Sequence, residues 1–261
     1  MKSIESGKVT QPYIKSRDEI PNSFFDSLLF RGIQFKGKRI VDLGAGTGTL
    51  TRKIHKRGGD IVGIEPSSLI NIAEQLNEKY MTTVPYRKEY AENVSLTENE
   101  CDMVVAFRSW QWFERQKVLG EINRILKKNG IFIVADSTIS QRTPVVEETF
   151  SLLKRYLPEG FWENNARKPH INNLPVEWFT EWTDSGFDTR DVYKKYYDVP
   201  FTIDEWCDCI RFEFESLTME MDRLEEGLQA LKEHLRNDFQ MNESFLIRHS
   251  YQVVILHKLD E

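Results

Sequence analysis

"IVDLGAGTGTL", Ile40 to Leu50, places glycine at every second position, 44, 46 and 48, behind a short apolar run and just after Asp42. Glycine weakens a strand or a helix start, so three at this spacing predict a turn that something approaches closely. A strand, then D-x-G-x-G-x-G, then a helix is an architecture for holding a nucleotide-like cofactor at the carboxyl end of parallel strands. The dinucleotide fingerprint G-x-G-x-x-G is not met, because Thr49 stands at its third glycine. In dinucleotide enzymes that glycine lets the helix pack close, and the helix start cradles a pyrophosphate. Asp42 would repel a pyrophosphate. It suits a cofactor carrying a positive centre and an ammonium group.

Working outward, "RIVDLGA" (39–45), "DIVGIEP" (60–66), "CDMVVAF" (101–107) and "GIFIVADS" (130–137) read as buried strands, each a short apolar run ended by a Gly, Pro or polar group. Helical patterns fill the intervals at 49–57, 67–80 and 114–128, the last with Val118, Ile122, Ile125 and Leu126 on one face and a stop at Asn129–Gly130. The segment 82–94 adds one short strand. Strand and helix in alternation, with nearly continuous apolar strands, predict a doubly wound, mostly parallel α/β sheet.

Glu65 ends the second strand, 17 residues beyond Gly48. A carboxylate at that point accepts hydrogen bonds from both hydroxyls of a ribose.

The second half changes character. Residues 143–187 are rich in aromatics and broken by Pro158, Pro169 and Pro175. "DTRDVYKKYYDVPF" (188–201) and "SFLIRHSYQVVILHKL" (244–259) read as two further strands. Between them the apolar positions Phe214, Leu217, Met221, Leu224, Leu228, Leu231 and Leu235 alternate steps of three and four, which predicts one helix from Ile203 to about Gln240. Gly227 and the short run favour a helix packed on its own domain over a dimerising coiled coil.

Composition bounds the function. The chain has 261 residues, a net charge of −6 and 16 Phe, 9 Tyr and 6 Trp, enough aromatic surface for a sizeable core. Its basic residues are scattered in short groups, which argues against a nucleic-acid backbone as partner. Cys101, Cys207 and Cys209 form neither a zinc pattern nor a disulfide framework. The N-terminus has no apolar signal core, and no stretch reaches the ~20 apolar residues of a membrane span, so a cytoplasmic protein without membrane partners is expected.

"VDLGAGTGTLTRKI", "GIEPS", "EYAENVSL", "CDMVVAFRSWQWF" and "INRILKKNGIFIV", in that order and spacing, together resemble the class I S-adenosylmethionine-dependent methyltransferases. Within them the run to Gln111–Trp112 and the segment "YIKSRDEIP" are similar to the branch of trans-aconitate and malonyl-carrier-protein methyltransferases. The resemblance covers roughly residues 12–140. It implies a Rossmann-like seven-stranded fold and S-adenosylmethionine as cofactor. Asp42 and Pro66 would be among the cofactor-binding residues, Gly44, Ala45, Gly46 and Ala106 would border its methionine part, Glu65 would hold its ribose, and Ala91 and Glu92 would lie at its adenine, while Tyr13 and Arg17 would close over its carboxylate. The chain departs from the pattern at Tyr90, where an acidic residue is common, and at Phe107 and Arg108, where smaller or neutral residues are.

Methyl transfer is an in-line displacement for which the protein positions the acceptor, excludes water and, for hydroxyls and many amines, removes a proton. The candidates at the mouth are Gln111 and Arg108, then Trp110, Trp112, His170 and Arg211. The expected organisation is a cofactor-binding core over 1–140, a helical and aromatic cap over 141–240, and a final strand within 241–261 that returns to the sheet. Phe161, Trp162, Trp178, Phe179 and Trp182 either line an apolar acceptor pocket or form a second core. The reading is a methyltransferase acting on a small-molecule acceptor. Its alternative is a non-catalytic cofactor-binding partner on the same fold. Asp42 and Thr49 disfavour an NAD-dependent oxidoreductase, and no metal-ligand cluster is visible.

Overall fold

A computed structural model of the chain describes residues 20–156, 169–215, 221–237 and 244–259. The glycine stretch follows β1 (Arg39–Leu43), whose branched Ile40, Val41 and Leu43 are completely enclosed. Strand β1 pairs in parallel with β2 (Asp60–Ile64) on one side and β4 (Cys101–Phe107) on the other. The parallel run continues outward to β3 (Tyr86–Arg87) and β5 (Leu126–Ile139). Beyond β5 lies β9 (Phe245–Lys258), antiparallel both to β5 and to the edge strand β8 (Phe187–Phe201). The order β3-β2-β1-β4-β5-β9-β8 is the doubly wound, mostly parallel seven-stranded Rossmann-like sheet that the alternation predicts. Strand order reverses between β1 and β4, and at such a switch point the loops part and leave a crevice. The glycines stand there.

Both faces of the sheet are covered, which is why its strands read as unbroken apolar runs. Val41, Leu43, Val104, Phe132, Val134 and Val254 meet α4 (Arg115–Ile125) and α6 (Val176–Asp184) on one face. Ile40, Met103, Val105, Ile133, Val253 and Ile255 meet α1 (Asn22–Phe30) and α2 (Thr49–His55) on the other. Helix α3 (Leu69–Lys79) links β2 to β3. Helix α4 ends at Ile125, earlier than its apolar spacing suggests, because Leu126 already pairs with Cys101.

The second half corrects two expectations. Trp178 and Trp182 of α6 belong to the main sheet core, where Trp182 is completely enclosed against Trp110 and Phe179. Of the two readings of the aromatic segment, core packing is the one these residues follow, while Phe161 and Trp162 lie outside the described residues.

The expected single long helix is two helices, α7 (Ile203–Glu215) and α8 (Met221–Asn237). They run antiparallel, because Arg211 pairs with Glu225 at 2.6 Å while Lys232 reaches Asp204 at 2.8 Å. Leu224, Leu228, Leu231 and Leu235 are buried against Trp206, Ile210 and α5 (Pro144–Leu153), so the apolar stripe is consumed within the chain. Gly227 lets α5 come close: a Cβ there would sit 3.0 Å from Leu153 and Tyr156.

This helical layer rests on an extension of the sheet. Strand β5 continues to Ile139 beyond its last pairing with β4 at Phe107–Ala135, and β8 and β9 stay paired as far as Phe201–Phe245. A short hairpin of β6 (His170–Ile171) and β7 (Leu174–Pro175) stands apart from the main sheet. No helix among the described residues is long and apolar enough to cross a membrane.

Candidate active site

Gly44, Gly46 and Gly48 all adopt positive φ, at 73°, 55° and 75°, a region that side chains with a Cβ rarely enter. They serve different neighbours. A Cβ on Gly44 would come within 2.5 Å of the Ser109 side chain, and one on Gly48 would overlap the Tyr86 hydroxyl, so these two make room for protein. Among the described residues, a Cβ on Gly46 would meet nothing within 4 Å. Of the three, Gly46 is the one that opens onto space no described residue fills.

The loop is fixed to β2. The Gly44 and Ala45 amides donate to the Ile64 carbonyl at 2.9 and 3.0 Å. The Glu65 carboxylate then joins the two loops: one oxygen accepts the Gly46 amide and the other the Ser67 amide, each at 2.9 Å. Glu65 is buried, yet each of its oxygens keeps a second lone pair for a ligand hydroxyl. Pro66 follows, half-buried.

Asp42 sits beneath the loop. Thr51, in the first turn of α2, donates to its carboxylate at 2.7 Å. Burial pushes its pKa up to about 7, the Thr51 hydrogen bond opposes that rise, and the nearby Glu65 charge adds to it. The folded state therefore holds this proton more tightly than the unfolded chain, whose carboxyl titrates near 3.8. The advantage to the fold is complete below that value and is lost as pH rises to about 7. Relative to Asp42→Asn, the wild type is expected to lose about 1.4 kcal/mol of stability per pH unit across that window. Urea unfolding of both proteins at about pH 4.5 and pH 6.5 measures the difference, and parallel pH slopes would contradict it.

The carboxyl end of β4 supplies the opposite wall. Ala106 is buried, and Ser109 donates to the Leu43 carbonyl at 2.7 Å, which fastens the turn after β4 to β1. Arg108 takes a left-handed φ of 56°, and its amide donates to the Ala135 carbonyl of β5. Gln111 is exposed on that turn, its amide donating to the Arg108 carbonyl at 3.2 Å. Of the flanking tryptophans Trp110 is buried in the core, and Trp112 is 65 % exposed.

On the far side of the crevice Ala91 is buried, and Glu92 accepts the Glu114 amide at the start of α4. Tyr90 stands exposed beside them. His170 is exposed on β6, and Arg211 is held by Asp208 and Glu225 in the helical layer, away from the glycine loop. Tyr13 and Arg17 lie outside the described residues. Sequence reasoning passed over Gly63, Tyr86 and Ser109. Gly63 carried a signal, being a glycine inside a strand, and a Cβ there would strike the Tyr86 ring and Ala45.

Residues 41–134 match the methyltransferase domain family. An uncharacterized methyltransferase of Mycobacterium tuberculosis is 28 % identical over 153 residues, 59 % of this chain and 60 % of that protein. The chain thus spans three fifths of the length of that curated relative. The YcgJ protein of Bacillus subtilis superposes with a TM-score of 0.55 at 17 % identity, over 92 % of this chain and 99 % of that one. Geranyl diphosphate C-methyltransferase of Streptomyces coelicolor, solved with S-adenosyl-L-homocysteine, gives 0.52 at 13 % identity, over 91 % of this chain and 78 % of that one. Residues 41–134 thus match a methyltransferase domain, and the seven-stranded sheet built around them has the fold of these solved structures.

Proposed function

We propose that the chain transfers a methyl group from S-adenosylmethionine to a small-molecule acceptor. The observation that carries this reading is the open space at Gly46 beside a buried carboxylate, Glu65, that is already aligned by two backbone amides. That cradle fits an adenosyl donor. Glu65 would take the ribose hydroxyls, and Gly44 to Gly46 would border the methionine part. Ala91 and Glu92 would lie at the adenine, and Tyr13 and Arg17 would close over the donor's carboxylate. The donor supplies an electrophilic methyl carbon. The chain's own residues bind, orient and exclude water, with Gln111 and Arg108 at the acceptor side and the helical layer as cap.

The test is a calorimetric titration with S-adenosylhomocysteine, followed by a metabolite-extract screen with labelled donor and mass identification of the product. Binding with a methylated small molecule is the expected result. Binding with no transfer to any extract component would point to the non-catalytic alternative. A methylated nucleic acid or folded protein would replace the small-molecule reading.

Glu65→Ala should weaken S-adenosylhomocysteine binding by about one to two decades, since two charge-assisted hydrogen bonds at ~1.5–3 kcal/mol each set the upper range and water replaces part of the loss. Unchanged affinity in the variant would remove Glu65 from the site.

A further inference from the structure

Arg52 of α2 is only 4 % exposed, a buried cation one turn beyond the glycine loop. One guanidinium nitrogen donates to the Thr47 carbonyl at 2.7 Å and to the Tyr86 hydroxyl at 3.4 Å. That hydroxyl donates in turn to the Gly48 carbonyl at 3.4 Å, which also takes the Arg52 amide at 2.9 Å. Burial pushes the pKa of Tyr86 up, with Arg52 opposing the rise, so the phenol stays protonated and able to donate.

Two glycines make room for this pair. A Cβ on Gly48 would fall 2.1 Å from the phenol oxygen and 2.8 Å from the guanidinium, and one on Gly63 would fall 2.5 Å from the Tyr86 ring. A buried guanidinium is costly and is ordinarily matched by a carboxylate. Arg52 instead spends its short hydrogen bond on a backbone carbonyl of the loop. A methionine would fill much of the same volume without that desolvation, so packing alone does not call for the charge. The loop is thus held twice: Glu65 takes the Gly46 amide at 2.9 Å, while Arg52 and Tyr86 hold the carbonyls of Thr47 and Gly48.

We infer that Arg52, with the Tyr86 hydroxyl, sets the curvature of the glycine loop and with it the fit of the donor's methionine part. Arg52 is a positioning residue that acts through the loop. The inference rests on the methyl-transfer reading, in which Glu65 holds the ribose by a separate route. The two ends of the donor should therefore respond differently when the guanidinium is lost.

The test is calorimetry with S-adenosylhomocysteine and with 5′-methylthioadenosine, which keeps the adenosine part and lacks the amino-acid end. Arg52→Met should weaken S-adenosylhomocysteine binding about tenfold or more, and 5′-methylthioadenosine binding by less than about threefold. Arg52→Lys returns one cationic donor and should recover most of the loss, which a residue serving only the core would not show. Tyr86→Phe removes a single atom and keeps the test open if Arg52→Met does not fold; it should cost about fivefold with the same split. S-adenosylhomocysteine affinity within about twofold of wild type in the folded variants, equal losses for both ligands, or no recovery with lysine would each overturn the inference. Failure of the wild type to bind S-adenosylhomocysteine would instead defeat the methyltransferase reading.

Discussion

Gly46→Val is expected to abolish detectable binding of S-adenosylhomocysteine, a loss of at least about 100-fold or ~2.7 kcal/mol, while the protein stays folded. The two effects separate because of where the Cβ points. At Gly44 or Gly48 a side chain would collide with Ser109 or Tyr86 and the loop itself would have to move. At Gly46 it meets no atom of the described residues within 4 Å, so the branched side chain enters the space that the proposed donor would fill. The remaining cost is conformational. A β-branched residue at φ 55° loses about 1–2 kcal/mol, or a few degrees in melting temperature. Calorimetry with a parallel thermal scan reads both quantities. Wild-type affinity in the folded variant would show that the donor lies elsewhere.

Trp182→Ala should be the most damaging single change to the fold, at about 3–5 kcal/mol or roughly 10 °C in melting temperature. The indole is completely enclosed, with ring centroids of Phe179 at 5.1 Å, Trp110 at 6.1 Å and Trp178 at 6.2 Å. Among the described residues its Nε1 has no hydrogen-bond partner, so the loss is one of packing and cavity formation. Donor affinity per folded molecule should change little. A variant of undiminished stability that has lost methyl transfer would return this residue to an acceptor pocket.

The parallel half of the sheet was legible because both of its faces are buried. Ile40, Val41, Val104 and Ile133 read as continuous apolar runs, and glycines punctuate the turn after β1. The helical layer was not. Residues 216–220 contain neither glycine nor proline, and Leu217 and Met221 keep the three-four spacing across the gap between α7 and α8. Periodicity alone therefore reads two antiparallel helices as one.

The position of Glu65 beside the glycine loop was legible from its spacing and strand end. The different duties of the three glycines were not, because they depend on Tyr86 and Ser109, which reach the loop from distant positions in the chain.

Enzymes that shield a reaction by domain closure do so on hinges, a few residues at element ends that absorb a change in backbone angle. Strands β5, β8 and β9 offer no such joint between the core and the helical layer. Their mutual pairing runs from Ile131–His257 and Phe187–Lys258 to Ile139–His249 and Phe201–Phe245, and its one irregularity falls at Thr189–Asp191, on the core side. Swinging the layer as a door would mean tearing ladder hydrogen bonds in three strands together. The layer is therefore fixed to the core, and under the methyl-transfer reading donor and acceptor would have to be gated by other segments.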